Sequence, residues 1–456
     1  MPEFLEPYEL TLSEASLQIH MGELSPTELL ESLLNRIDSL EPRLRAWVTI
    51  DRARAMEEAE RLSEEAERGV SRGSLHGIPM GVKDIFYTRG LRTTAGSKIL
   101  ADFVPSYDAA AVARLRDMGG IILGKTETTE FASYDPAPTR NPWNLGHTPG
   151  GSSSGSAAAV SSGMCPAALG SQTGGSTIRP ASFCGIVGFK PTYGRISRFG
   201  VFPLSWSLDH VGIFTRTVDD AMLMLEALAG RDQRDPTSSS EAVPTYTKAL
   251  DSSSPPRMGL LKGLFQERAE EIVRQNIEAA VGTLMGRGAE ISDASPPPSL
   301  GASPFAQRII MYSEAASVHE ETFRTRMGDY RPKLRGMLAA GLLVPASTYI
   351  RAQRIRARFV NEVYASLKGF ECLLMPSTTA PAPFGLESTG DPSFNSPWSL
   401  SGFPTMTIPS GLTENGLPLG VQLVGRPFEE ATLLRAAKWC EAALGFGSCL
   451  HDPCIC

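Results

Sequence analysis

Three residues, Lys83, Ser152 and Ser176, stand in contexts where they could do chemistry together. A serine hydroxyl is a weak nucleophile unless an adjacent base takes its proton. A lysine is such a base only when uncharged, which needs burial away from carboxylates to bring its pKa toward the working pH. Lys83 ends the run Gly77-Ile-Pro-Met-Gly-Val-Lys, which predicts a short strand leading into a loop. Ser152 lies in Pro149-Gly-Gly-Ser-Ser-Ser-Gly-Ser, and Ser176 in Gln172-Thr-Gly-Gly-Ser-Thr-Ile-Arg-Pro-Ala. Taken singly, Lys83 reads as a surface lysine and the Ser/Gly stretches as connectors. Connectors are low in complexity, however, whereas this block holds a small-residue stretch and an apolar run. Repeated Gly-Gly-Ser in ordered chain also implies backbone angles that only glycine adopts cheaply.

Two other glycine signals are weaker. Gly119-Gly-Ile-Ile-Leu-Gly124-Lys125-Thr126 matches the phosphate-loop pattern in full. Its variable positions are apolar strand formers, and the order helix, glycine pair, strand reverses what a phosphate loop needs. Gly151-Ser-Ser153-Ser-Gly155 matches the nucleophile elbow, with His210, His319 and His451 downstream. That elbow needs an apolar strand before it, and Arg140-Asn-Pro-Trp-Asn-Leu-Gly-His-Thr-Pro-Gly cannot be a central one.

The elements that must position these residues are legible in part. Ser25-Pro26-Thr27-Glu28 reads as a capping box opening a helix that continues to about Leu40, with Leu29, Leu30, Leu33, Leu34 and Ile37 buried. Tyr107 to Met118, Ser154 to Ser162 and Val218 to Leu228 are further predicted helices, the second able to pack very close to its neighbours. Ile121 to Leu123 is a short buried strand. After a Ser/Pro-rich break at Asp232 to Pro256 come a strand at Met258, a helix from Glu267 to Met285 and a strand at Ala289-Glu-Ile. This alternation is the signature of a mixed or parallel sheet covered by helices. The break would serve either as a domain boundary or as a surface loop.

The chain of 456 residues is 42% hydrophobic and 20% charged, as expected of a globular protein with a large core. Its net charge of −7 argues against a nucleic-acid surface. The N-terminus lacks a secretory signal and no long uncharged apolar run occurs, so no membrane partner is expected and a cytoplasmic location is. Seven cysteines, an odd number, read as reduced thiols. Cys449, Cys454, Cys456 and His451 fit no usual zinc spacing and read as a C-terminal tail rather than a metal site.

Beyond these physical readings, the sequence resembles the amidase signature enzymes. The likeness is carried by the Lys83 segment, Lys125-Thr-Glu-Thr-Thr-Glu-Phe-Ala, Asn141 through Ala159, Leu169 through Gly194, and Ser207-Leu-Asp-His-Val-Gly. Phe403-Pro-Thr-Met-Thr-Ile-Pro-Ser-Gly and Gly416-Leu-Pro-Leu-Gly-Val-Gln extend it toward the C-terminus. The resemblance implies one α/β domain over residues 1–456: a large, mixed, mostly parallel-type twisted sheet covered on both sides by helices. The core would occupy about 70–215, with about 257–448 completing the sheet and substrate pocket, and the Ser/Pro break becomes a loop.

It also implies roles. Ser176 would be the nucleophile, Ser152 the bridging serine on a cis peptide after Gly151, and Lys83 the base, with Ser153 supporting the network. Thr173, Gly174, Gly175 and Ser176 would offer backbone N–H groups as an oxyanion hole. Asp84 is expected to be structural, since a carboxylate facing the amine would hold it charged. Tyr134, Phe394, Trp398 and the segment Ile309 to Val318 are expected to line an apolar acyl pocket, although core positions would explain them equally well. Two departures stand out: Gln172 where many members have Asp, and Arg179 three rather than two residues after the nucleophile. The expected function is a free-standing amidohydrolase, monomeric or homodimeric, cleaving aryl or alkyl amides, anilides, carbamates (urethanes) or esters without metal or organic cofactor. The alternatives are the glutaminase subunit of a tRNA-dependent amidotransferase, whose distinctive Tyr/Asp/Asn-rich run is missing here, and a non-catalytic binding protein on the same fold.

Overall fold

The computed structural model describes residues 5–247 and 254–446. Its centre is one 11-stranded sheet. The strands are β1 (Trp47–Ile50), β2 (Pro79–Lys83), β3 (Ile121–Thr126), β4 (Ala167–Gln172), β5 (Val187–Lys190), β6 (His210–Thr215), β7 (Arg257–Leu261), β8 (Glu290–Ala294), β9 (Cys372–Pro376), β10 (Thr405–Leu412) and β11 (Pro418–Val424). Their spatial order is β1-β3-β2-β4-β6-β5-β10-β11-β9-β7-β8. The strands before and after the Ser/Pro break therefore meet at the β5–β10 pairing.

The sheet is mixed, as expected, but not mostly parallel. Among the described residues six pairings are antiparallel and four are parallel. Parallel pairs flank β2 and β7, where helices supply the crossovers. The middle is antiparallel because β10 and β11 form a hairpin and β5 and β6 pair with reversed directions.

The capping box forms as read: Ser25 accepts from the Glu28 amide and Glu28 from the Ser25 amide. That helix, Pro26–Leu44, runs a turn past Leu40 because Leu44 continues its buried stripe. Glu267 to Met285 divides into Leu264–Glu267 and Glu271–Gly286, with Glu270 as the cap of the second helix. Lys125 belongs to β3 and is fully buried, so the phosphate-loop pattern is strand.

The small-residue helix Ser154–Ser161 is buried at every position. A Cβ on Gly155 would sit 2.2 Å from the Ala46 carbonyl oxygen and 2.3 Å from the Glu127 amide. Only glycine permits this approach, which presses the Ser152 loop against the sheet. Among the described residues no helix is long and apolar enough to cross a membrane. Cys449, His451, Cys454 and Cys456 lie outside the described residues.

Candidate functional site

Lys83 ends β2, and its side chain is fully buried. Its ammonium nitrogen lies 2.7 Å from the Ser152 hydroxyl and 2.8 Å from the Ser171 hydroxyl. Burial pushes its pKa down to about 7, against the opposing charge of Asp209. At that value a substantial fraction of the amine is neutral near pH 7. A neutral amine can give one proton to Ser171 and accept the proton of Ser152.

Ser152 follows a cis peptide bond from Gly151, as the resemblance implied. Ser153 Oγ accepts from the Ser171 amide at 3.2 Å and lies 3.3 Å from its carbonyl, tying the serine loop to β4. The supporting role expected of Ser153 is thus a backbone clamp. Asp84 points elsewhere: its Oδ2 accepts from the amide and hydroxyl of Thr94.

Beyond β4 the chain turns through Thr173-Gly-Gly-Ser176 before the helix Ile178–Phe183. Among the described residues, the amides of Thr173, Gly174, Gly175 and Ser176 donate to no protein acceptor. Four consecutive unpaired N–H groups beside a serine can stabilise a developing oxyanion. The turn is braced from several sides. Gln172 Oε1 accepts from the Thr177 and Ile178 amides, its Nε2 donates to Ser399, and Ser399 donates to the Gly174 carbonyl. Gln307 Nε2 donates to the Thr173 carbonyl, and Thr173 Oγ1 donates to Asp209 at 2.5 Å. A Cβ on Gly175 would meet Asn395 Oδ1 at 2.7 Å, so the close approach there requires glycine.

Ser176 opens into a small cleft lined also by Tyr134, Gly174, Arg179, Gln307 and Met311. Its hydroxyl has no hydrogen-bond partner among the described residues. The structure therefore joins Lys83 to Ser152 and leaves Ser176 facing the cleft. In sites without substrate, catalytic hydrogen bonds are often long and tighten only in the complex.

Of the expected pocket residues, Tyr134 lines this cleft, and Met311 represents the Ile309 to Val318 segment. Phe394 and Trp398 do not line it. Both are fully buried in an aromatic cluster with Phe265, whose ring lies 4.9 Å from Phe394 and 6.2 Å from Trp398. Their apolar area is used in the core. Among the described residues the elbow reading also lacks its partner: His210 Nδ1 contacts the Leu208 and Gln172 carbonyls and His319 contacts Tyr330, and neither reaches a serine.

Sequence reasoning missed Ser171, Asp209, Gln307 and the placement of Arg179 in the cleft. Ser171 carried one signal, a hydroxyl after the small and apolar run Ala167-Ala-Leu-Gly170. Asp209 stood in a quoted segment without an assigned role.

A family model described as Amidase matches residues 28–434. The chain belongs to the amidase family. It is a hydrolase of amide-type carbon–nitrogen bonds. Among curated proteins it is 38% identical to a glutamyl-tRNA(Gln) amidotransferase subunit from Geobacter metallireducens, covering 96% of this chain and 98% of that protein. Among solved structures it matches the peptide amidase of Stenotrophomonas maltophilia with a TM-score of 0.85 and 32% identity over 99% of both chains. A chain from a vestigial protein complex connected with the origins of an s-triazine catabolic enzyme matches with a TM-score of 0.90 and 31% identity, over 95% of this chain and 98% of that one.

Proposed function

We propose that this amidase works through an acyl-enzyme on Ser176, with Lys83 as base and Ser152 as proton relay. The observation that carries the reading is the fully buried Lys83 amine held 2.7 Å from Ser152. As substrate enters, the Ser176 hydroxyl passes its proton to Ser152, which passes its own to the neutral amine. The Ser176 oxygen bonds to the carbonyl carbon, and the amides of Thr173 to Ser176 receive the oxyanion. Lys83 and Ser152 then return the proton to the departing nitrogen as the carbon–nitrogen bond breaks. Water, activated by the same relay, releases the acid. Each oxyanion donor of this kind contributes about 3–4 kcal/mol when aligned.

The chain acts on this reading as one domain, since a single sheet runs through both halves. Two substrate readings remain distinct. The names of the curated relatives favour a glutaminase subunit that delivers ammonia within an amidotransferase, over the free-standing hydrolase expected from the sequence. The segment Asp391-Pro-Ser-Phe-Asn-Ser-Pro-Trp398, which stands where that branch carries a Tyr/Asp/Asn-rich run, favours the free-standing hydrolase of aryl or alkyl amides, anilides, carbamates or esters.

The test is a panel of chromogenic anilides, esters and aryl carbamates, together with glutamine, run on the purified chain and on Ser176→Ala. Turnover of panel substrates by the chain alone supports the free-standing reading. Ammonia release from glutamine only, dependent on added amidotransferase subunits, supports the other. Ser176 left unlabelled by a fluorophosphonate probe, with no turnover on any substrate, would return the chain to the class of non-catalytic binding proteins.

A further inference from the structure

The cleft at Ser176 measures about 50 Å³, and a larger cavity of about 210 Å³ adjoins it. Ala132, Thr173 and Leu204 line both, so the two meet across these side chains. The larger cavity is mostly apolar, walled by Ile85, Val201, Phe202, Leu204 and Val211, with the exposed Trp206 where it meets solvent. An apolar cavity of about 150 Å³ is enough to hold benzene. Phe394 and Trp398 lie in the core, so the apolar surface beside Ser176 comes from this cavity instead.

The charged groups in its wall are engaged with the protein. Asp209 accepts from Thr173, Leu204 and Ser205, and Asp235 from Arg198 and Thr237. Arg234 donates to Asp232, and the terminal nitrogens of Arg198 donate to Trp206, Tyr193 and Thr237. Two buried side-chain nitrogens of the wall have no partner among the described residues, Arg198 Nε and His210 Nε2. His210 Nδ1 lies 2.6 Å from the Leu208 carbonyl and 3.3 Å from that of Gln172, so it carries the hydrogen and Nε2 the lone pair. Burial holds this ring well below its usual pKa, hence neutral. An N–H or O–H group entering the cavity would therefore find an acceptor in apolar surroundings. Position decides which half of a substrate enters. Ser171, 2.8 Å from the Lys83 amine, is in the cavity wall, whereas Tyr134, Gln307 and Met311 line the cleft and not the cavity. A departing nitrogen must face the groups that return its proton, and those stand on the cavity side.

We propose that this cavity is the subsite for the amine half of the substrate and takes an uncharged aryl amine, so that N-aryl amides and N-aryl carbamates with small acyl groups are preferred. The inference deepens the free-standing reading of Ser176 and rests on its Lys83–Ser152 relay. As the carbon–nitrogen bond breaks, its electron pair stays on nitrogen, which takes the Ser152 proton while Ser152 takes one from the Lys83 ammonium. The acyl group stays on Ser176. The free aryl amine is left in the cavity, which opens to solvent at Trp206.

Two measurements test it. The first compares kcat/KM for acetanilide, with its ring on nitrogen, and benzamide, with its ring on the carbonyl, in the wild type and in Val201→Phe, which fills the cavity. The wild type should prefer acetanilide by about tenfold or more, and Val201→Phe should cut that preference by about tenfold. A general loss of packing would depress both substrates together and leave the preference unmoved. The second measures calorimetric binding of 4-aminophenol and 4-methylaniline to Ser176→Ala and to the double variant that also carries Val201→Phe. Both amines should bind the first protein and bind the second about tenfold more weakly. In the first, 4-aminophenol, whose hydroxyl can donate to His210 Nε2, should be the tighter by about threefold. No amine binding to Ser176→Ala, or a preference unmoved in Val201→Phe, would overturn the inference, and equal binding of the two amines would remove His210 from the site. Amine binding without hydrolysis of any amide would sink the nucleophile reading and leave the cavity assignment standing.

Discussion

Two lysines on neighbouring strands show what separates the amine proposed as base from a structural one. Lys83 on β2 and Lys125 on β3 are both fully buried, and the strands pair with Lys83 opposite Thr126 and Val82 opposite Lys125. Burial lowers both, to about 7 and about 8. Their partners differ in kind. Lys125 donates to the Phe86 carbonyl and to the hydroxyls of Thr88 and Thr93, with the charge of Asp84 working to keep it protonated. Among the described residues Lys83 meets only hydroxyls. A carbonyl can accept but never donate, so it holds an ammonium in place. A hydroxyl can do both, so the amine can give up its charge and keep its hydrogen bonds. Lys190 makes the same point from β5: burial lowers it to about 7 as well, yet it faces the Pro191 and Phe403 carbonyls. A depressed pKa alone does not mark a base.

Breaking each lysine in turn should give opposite phenotypes. Lys83→Ala and Ser176→Ala should each lose at least a thousandfold in kcat while keeping a folded circular dichroism spectrum. Lys125→Met should keep kcat within about tenfold but lose about 1–3 kcal/mol of stability, read from chemical denaturation, because buried acceptors are left without their donor. Equal losses of activity in Lys83→Ala and Lys125→Met would erase the distinction. Next in size is Ser171→Ala. Without Ser171 the amine loses the hydroxyl that engages one of its hydrogens, and kcat should fall by about tenfold to a hundredfold. Restoration by Ser171→Thr would show that the hydroxyl, not the strand, was at fault.

The same contrast explains what the sequence could reveal. The Lys83, Ser152 and Ser176 segments were legible because tight turns and close backbone approaches impose glycine and serine locally, as at Gly155 and Gly175. Helix starts such as Ser25 were legible for the same reason: a cap is a short-range arrangement. The partners of Lys83 were not, since a strand hydroxyl at 171 comes beside it only when β4 pairs with β2. Phe394 and Trp398 were expected in the pocket, although core positions would explain them equally well. Packing on Phe265, from a distant part of the chain, decides their place. The antiparallel centre of the sheet was hidden for the same cause, as β5 meets β10 across a long stretch of intervening chain.

The smallest expected effect is also the most specific to Lys83. Its amine must be neutral to act, so kcat/KM should rise with pH through about 7 and fall away below it. Asp209 is the one charge acting against burial there, and its negative charge favours the protonated amine. Replacing Asp209 with Asn removes that charge and keeps one acceptor oxygen for the Leu204 and Ser205 amides, while the new NH2 can donate to the Thr173 hydroxyl, which turns to accept. The acid limb of the profile should then move to lower pH. A shift to higher pH would mean that the limb reports another group, and an unmoved limb would mean that Asp209 is already protonated in the working enzyme, as its own burial favours. The corresponding change beside Lys125, Asp84→Asn, should leave the limb in place, because that lysine gives up no proton in the reaction.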